Sequence, residues 1–406
     1  MKHVIIGVGP AGIVAAKTIR SLDQTAEIVM IAKDEHIHSR CMLHHYISGD
    51  RDEQALSFVE PDFIERYRIT FVTPGNVIGV NPSQRMICLE GGYSIGYDKL
   101  LLATGADSVI PPVGAFRTAK NVYGLRNLCD AQAIGSKVKA GGKAVIVGSG
   151  LVGMDAAYGL LEQKMDVTVV EMADRILPIQ LDVTAGKEYQ QLFEKAGCKF
   201  VLGRKATETT VNSDNMITQL ILDDQTVLDC DFIIVAAGVR PAITCIEDSG
   251  IKSERSIEVN SFMQTSMEDI YAAGDVTGLS GIWPNAMKQG QIAGSNMCGK
   301  QVVYDDTYAM KNTINFFGLV TLSLGRGQAQ EGDVVMVQED RNSYKRAIIR
   351  GNYLDSILLQ GNMDYAGVYQ YIIKNRIPLK NHNIFKISFS DYFKMKPDGQ
   401  YEYQVQ

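Results

Sequence analysis

Two glycine-rich turns of the same design constrain this chain more than any other feature. The first, Gly7-Val8-Gly9-Pro10-Ala11-Gly12, follows the apolar run 3–6, and the second, Gly148-Ser149-Gly150-Leu151-Val152-Gly153, follows 143–147. In each, the first glycine permits a tight strand-to-helix turn and the second lets backbone approach a pyrophosphate. The third lets the helix pack closely on the strand. Free N–H groups and the macrodipole at the helix start favour a phosphate there. One such turn is a weak signal, because glycine punctuates many strand-to-helix junctions. Here each turn has its continuation: a helix, a strand, then an acidic residue. After Gly12 come a helix over 13–22, a strand over 27–31 and Lys33-Asp34-Glu35. After Gly153 come a helix over 154–163, a strand over 167–170 and Glu171. The pattern implies two dinucleotides on one chain, the arrangement of a redox protein that uses both a flavin and a nicotinamide.

At 406 residues the chain can build two or three ordinary cores. Its 46% hydrophobic and 21% charged content is that of a globular protein. A net charge of −6 argues against nucleic acid as the main partner. The seven cysteines (Cys41, Cys88, Cys129, Cys198, Cys230, Cys245 and Cys298) include no CxxC or CxxxxC pair and no zinc spacing. An odd count in a chain this long does not read as a disulfide framework, so a reducing, cytoplasmic setting without a metal site is expected. The apolar start contains the first fingerprint and belongs to the fold. No stretch reaches the length of a membrane span.

Further strands are expected at 69–72, 86–89 and 100–103, the last closed by Thr104-Gly105. Two more cover 231–236, followed by Ala237-Gly238, and 269–272, followed by Ala273-Gly274-Asp275. From about residue 310 the character changes to alternating strands over 334–337, 346–349 and 356–359, with no further fingerprint.

With these motifs in order, the chain resembles the pyridine nucleotide–disulfide oxidoreductase superfamily over essentially its whole length. It looks most like the branch of NADH–rubredoxin reductases, ferredoxin reductases and the flavin region of nitrite reductases. Leu100 through Ala106 resembles the family's ATG motif, and Ile270 through Asp275 its late FAD motif, whose Asp approaches the ribityl chain. Trp283-Pro284-Asn285-Ala286 with Gln289-Gly290 is similar to the helix start beneath the flavin. Thr313 through Gly318 resembles the opening of the C-terminal domain.

The resemblance implies an α/β fold: two Rossmann-like dinucleotide-binding domains plus a C-terminal α+β domain. An FAD domain would be built from 1–107 and 228–310, an NADH domain from 108–227 and the C-terminal domain from 311–406. It implies the cofactors FAD and NADH. The cofactor-binding positions would be Gly7, Gly9, Pro10, Ala11, Gly12, Asp34, Glu35, Arg40, Val77, Ala103, Thr104, Gly105, Gly148, Gly150, Leu151, Val152, Glu171, Gly238, Gly274, Asp275 and Ala286. For the first ribose, Asp34 is the first choice and Glu35 the second. Asp155 stands where the family usually has Glu, one methylene longer. A carboxylate at Glu171 accepts hydrogen bonds from both ribose hydroxyls of NADH and repels the 2′-phosphate of NADPH. Arg175, four residues on, leaves the strictness of that preference open.

The segment His38-Ser39-Arg40-Cys41-Met42-Leu43-His44-His45-Tyr46 is similar to a stretch that runs along the flavin. By that match Arg40 approaches the cofactor, and His45 falls where a Lys often sits near the flavin N5 edge. Cys41 replaces a Pro. Aligned differently, Cys41 through Gly49 resembles the loop of NADH oxidases, NADH peroxidases and coenzyme A–disulfide reductases, whose single reactive Cys faces the flavin. Pro10 stands where the peroxidase-type enzymes carry His. A Cys41 thiolate beside Arg40 and a helix start would have a lowered pKa.

Cys41, His45 and Asp155 are therefore the catalytic candidates. The leading expectation is electron transfer from NADH through flavin to a ferredoxin-like or rubredoxin-like protein. Cys41-dependent peroxidase, oxidase or disulfide chemistry is the alternative, and a flavin-based redox sensor a further one. Arg341, Lys345, Arg346 and Arg350 are candidates for a basic docking rim, with a solvated strand face as the plainer explanation. A homodimer through the C-terminal domain is also implied.

Overall fold

The computed structural model describes residues 1–305, 311–325, 327–380 and 383–403. The expected boundary at 310 lies outside them. Two compact units emerge: residues 1–172 with 197–305, and residues 173–196 with the described residues from 311 onward.

The first unit contains two parallel five-stranded sheets. In one, the order is Ile270–Ala272, Lys99–Leu102, Lys2–Ile6, Glu27–Ile31 and Ile69–Val72. These strands are near-continuous apolar runs because both faces are covered. Ile5, Met30 and Leu101 pack against the helices Pro10–Leu22 and Trp283–Met297. Val4, Val29 and Leu100 face Val80, Ile87 and Leu89, which belong to a small antiparallel sheet. The other parallel sheet runs Lys199–Leu202, Asp166–Glu171, Lys143–Val147, Phe232–Val235 and Val122–Tyr123. A three-stranded meander covers it with Ile217, Leu220 and Leu222.

The two fingerprint turns are built alike. Gly7 and Gly148 adopt φ of 111° and 104°, where a side chain would be strained. A Cβ added to Gly12 would come 2.0 Å from the Gly7 carbonyl oxygen, and one added to Gly153 would come 2.0 Å from that of Gly148. The first helix begins at Pro10, three residues before the predicted start, because proline suits the first helical position. The second begins at Leu151, the equivalent position after its own turn.

In the second unit, five antiparallel strands lie in the order Lys311–Phe316, Leu319–Gly325, Tyr353–Gln360, Ser343–Arg350 and Val334–Asp340. The last three extend beyond the predicted 334–337, 346–349 and 356–359, because two-residue turns at Arg341-Asn342 and Gly351-Asn352 keep the pairing going. The helix Ala366–Lys374 supplies Val368, Tyr369 and Ile372 to the core on one face of this sheet. The helix Val183–Lys195 belongs to the same unit: Tyr189 donates to the Leu319 carbonyl at 2.6 Å, and Phe193 meets Phe316 edge-on at 5.1 Å. Among the described residues, no helix is long and apolar enough to cross a membrane, and no cluster of three or more His, Cys, Asp or Glu could hold a metal.

Two Rossmann-like sheets with an α+β C-terminal unit are thus the architecture implied by the sequence.

Candidate functional site

Four neighbouring strands of the first sheet end at one place. Their following residues wall a cavity of about 440 Å³ at the carboxyl edge of the sheet, where open parallel sheets bind ligands. Gly7, Gly9, Pro10 and Ala11 come from the first turn and Asp34 from the end of the next strand; Ala103, Thr104 and Gly105 come from the third, and Gly274 and Asp275 from the fourth. Arg40, Cys41, Val77 and Ala286 complete the expected set. Gly12 lies behind the turn, where it serves close packing. Of the two acids weighed for the ribose, Asp34 lines the cavity and Glu35 is exposed outside it.

The wall suits a diphosphate. Gly9 caps the helix without a side-chain bond, the first helical turn carries no acid, and a Cβ on Gly9 would meet nothing within 4 Å. Backbone N–H groups therefore remain available to an anion. Arg40 faces the same space, and among the described residues its side chain makes one long hydrogen bond, 3.5 Å to the Ala106 carbonyl. Burial, and then neighbouring Arg126, lower its pKa to about 10, a strain that an incoming anion would relieve. His38 also lines the cavity, with its buried Nε2 3.8 Å from Asp34 Oδ2 and without a hydrogen bond among the described residues.

Arg126 is the residue that sequence reading missed. It lines the cavity, donates to Asp275 Oδ2 at 2.6 Å and to the Ala106 carbonyl at 3.1 Å. A capping box between Asn127 and Asp130 fixes its backbone, and Asp130 Oδ2 accepts from the Arg126 N–H at 2.8 Å. That box is legible in sequence, but nothing local links Arg126 to an acid 149 residues away. On the other side of Asp275, fully buried Gln289 accepts from the Gly274 N–H at 2.7 Å and holds the loop.

The second turn has the same open helix start: Gly150 has no side-chain cap, and an added Cβ would meet nothing within 4 Å. Gly148, Leu151 and Val152 surround it in sequence, and Val152 is exposed. Glu171 ends the adjacent strand and accepts from the Ser149 N–H at 2.8 Å and the Ser149 hydroxyl at 2.9 Å. Gly238 follows the neighbouring strand Phe232–Val235 with open space at its Cβ.

The structure sorts the two adjacent histidines. His44, not His45, meets Asp155, with Nδ1 3.8 Å from Oδ1. His45 points outward and pairs with Asp50 at 3.3 Å. Burial pushes the Asp155 carboxyl up to about 7 and, with His45 beside it, pulls His44 down to about 4. Asp155 keeps 28% of its side-chain exposure, so its rise is tempered by the water that still reaches it.

Cys41 opens into the cavity, but the expected lowering of its pKa does not occur. Burial raises the thiol, Asp155 raises it further, and Arg126 and Arg40 do not compensate. A second cavity thiol, Cys245, is pushed up to about 11 by burial. The basic rim is not formed either. Arg346 pairs with Asp182 at 3.4 Å, Arg350 with Asp333 at 2.8 Å and Asp355 at 3.4 Å, and Lys345 is buried, leaving only Arg341 exposed. Alternation along the strand aims these cations at nearby acids.

The pyridine nucleotide-disulphide oxidoreductase family model matches residues 1–290. The chain is 31% identical over 367 residues to the epsilon subunit of an NADH-dependent phenylglyoxylate dehydrogenase from Aromatoleum evansii, covering 88% of this chain and 85% of that one. It is 34% identical over 324 residues to an NADH oxidase of Methanocaldococcus jannaschii, covering 75% and 71%. The solved NADH:rubredoxin oxidoreductase of Clostridium acetobutylicum superposes with a TM-score of 0.77 at 25% identity, over 94% of this chain and 97% of that one.

Proposed function

The chain belongs to the pyridine nucleotide-disulphide oxidoreductase family and is an FAD- and NADH-dependent oxidoreductase, and from that premise we propose that it passes the electrons of NADH singly to a small iron–sulfur or rubredoxin-type protein. FAD, when bound, supplies the exchange between a two-electron donor and one-electron exits. The protein contributes binding, orientation and charge. In this reading the Gly9 helix start and Arg40 hold a diphosphate, Asp34 takes a ribose, and Asp275, steadied by Arg126 and Gln289, takes the ribityl chain. Gly150 and Glu171 hold NADH, and Asp155 stands beside the reacting edge. We assign 1–107 with 228–310 to FAD, 108–227 to NADH and 311–406 to a C-terminal domain, through which the chain would dimerise; sedimentation at working concentration reads that state.

One observation carries the choice of acceptor class. Cys41 lies exposed in the cavity wall, yet desolvation and then the charge of Asp155 raise its thiol, which supports transfer that bypasses the thiol. The position of Cys41 in the cavity wall supports the second reading, a thiol-dependent peroxide or disulfide reduction. Anaerobic titration with NADH separates them. One equivalent of NADH should bleach wild type and Cys41→Ser alike, with coincident spectra. Two extra electrons in wild type, or a long-wavelength thiolate-to-flavin band that the variant lacks, would put the thiol in the cycle.

Glu171 should favour NADH over NADPH by at least about fivefold in kcat/KM, because about 1 kcal/mol or more of like-charge repulsion opposes the 2′-phosphate. Equal kcat/KM for the two would remove that role.

A further inference from the structure

We propose that Asp155, His44, His45 and Asp50 form a proton path from the cofactor cavity to solvent. The inference rests on the reading above, in which acceptors take single electrons. Oxidation of one NADH by two such acceptors yields NAD⁺, two reduced acceptors and one H⁺. The C4–H bond of NADH breaks with both its electrons, the electrons depart one at a time, and the proton is left behind to reach water.

Each of the three links between these four residues is a close approach. Asp155 sits in the helix Leu151–Glu162, close enough to Cys41 in the cavity wall for its charge to act on that thiol. Its Oδ1 lies 3.8 Å from Nδ1 of His44, and that nitrogen is buried with no hydrogen-bond partner. The separation exceeds a hydrogen bond by under about 1 Å, so a small carboxyl rotation closes it. A buried acceptor kept empty and aimed at an acid has no structural return. The His44 and His45 rings are 4.2 Å apart between centroids. His45 Nδ1 is 3.3 Å from Asp50 Oδ2, which the Ser48 hydroxyl holds at 2.7 Å. Asp155 keeps 28% of its side-chain exposure, and beyond it exposure rises from 12% at His44 to 26% at His45 and 57% at Asp50.

Protonation states suit the task. Burial alone lifts Asp155 to about 7, so it both takes and releases a proton near neutrality. His44, pulled down to about 4, stays neutral, so it relays a proton by taking one at Nδ1 as it gives one up at Nε2 and does not hold the charge. The other groups acting here are Cys41 beside Asp155, Arg51, which disfavours a charge on His44, and Tyr158, whose ring meets His44 edge-on at 6.4 Å. Glu162, farther along the helix of Asp155, acts on Tyr158. None of these pins Asp155 as a carboxylate. A proton accepted at Asp155 Oδ1 passes to His44 Nδ1, moves between the adjacent imidazoles through one water, and leaves at Asp50.

The test uses the holoenzyme with NADH and ferricyanide, a one-electron oxidant, and a pH-indicator dye in stopped flow. In wild type, proton release should keep pace with ferricyanide reduction. In His44→Ala it should lag at least tenfold, and free imidazole should restore it, which a structural role would not explain. Asp50→Asn, at the exposed end, should lag two- to threefold. Proton release in His44→Ala as prompt as in wild type would overturn the path. A second readout needs no turnover: in ¹⁵N-histidine spectra of the oxidised holoenzyme, His44 Nδ1 should show an inflection near pH 7 that Asp155→Asn abolishes. A flat His44 signal from pH 6 to 8 would also overturn it. If the lag is present with ferricyanide while rubredoxin- and ferredoxin-type proteins are not reduced, the acceptor reading fails and the path stands.

Discussion

The two nucleotide-binding halves share a backbone and differ in what surrounds it. Gly12 and Gly153 occupy equivalent positions, each with the same 2.0 Å approach to a carbonyl oxygen, and both helix starts are left open by Gly9 and Gly150. Around the first, four strand ends, two arginines and a C-terminal helix close a cavity. Around the second, one carboxylate, Glu171, is tied to the turn through Ser149. In the proposed reading, a shared turn sets where a diphosphate can sit, while enclosure and charge set how long it stays. A cofactor that is retained needs the first arrangement; a substrate that comes and goes needs the second.

The largest way to break this comparison is a methyl group. Gly12→Ala and Gly153→Ala should each cost about 3 kcal/mol or more, since backbone, not a flexible side chain, stands in the way. Their consequences should separate: Gly12→Ala protein should be isolated without yellow colour, and Gly153→Ala should stay yellow and lose NADH binding, read by absorbance and by titration. Loss of flavin from both would show that the halves do not fold independently.

A second contrast is His3, fully buried with Nδ1 unpartnered, at the position that the second half fills with Ala144. Burial lowers its pKa from 6.5 to about 4. The unfolded chain thus binds a proton that the folded chain refuses, and stability present above pH 6.5 is lost as pH falls toward 4. The loss amounts to about 3 kcal/mol from this residue. Denaturant midpoints should fall over that window in wild type and much less in His3→Ala.

Next is Arg126. Arg126→Ala leaves the half-buried Asp275 carboxylate without this donor and the Ala106 carbonyl with only the long bond from Arg40, costing about 2 kcal/mol and at least tenfold in FAD affinity. Glu171→Ala should leave FAD retention alone and narrow the preference for NADH over NADPH.

The smallest effect is at Asp155, which the first half replaces with Val14. Its folded pKa of about 7 lies above the ordinary 3.8, so its stability contribution is complete below pH 3.8 and is lost as pH rises through 7. Asp155→Asn should stabilise the protein by about 1–2 kcal/mol at pH 8, the full shift being discounted for the solvent reaching the side chain, and by nothing below pH 3.8. Equal melting points at pH 8 would mean that the carboxyl is better solvated than its surroundings indicate.

The chain alone determined its two dinucleotide turns and the parallel sheets behind them, because these rest on short-range sterics, and the order of its motifs carried the resemblance that implied the family and the cofactors. A glycine seven residues from the N-terminus, a proline at the first helical position and β-branched strands with both faces covered act over a few residues and leave a periodic mark. The paired strands of the C-terminal sheet run longer than their alternation predicts, since two-residue turns extend pairing without any strong local signal. Only the tertiary structure could place Arg126 against Asp275, turn His44 rather than His45 toward Asp155, raise rather than lower the Cys41 thiol, and spend the strand cations on Asp182, Asp333 and Asp355. These outcomes depend on burial and on charges brought together from distant parts of the chain. Desolvation and Coulomb interactions take their sign from neighbours in space, and no spacing along the sequence reports who those neighbours are.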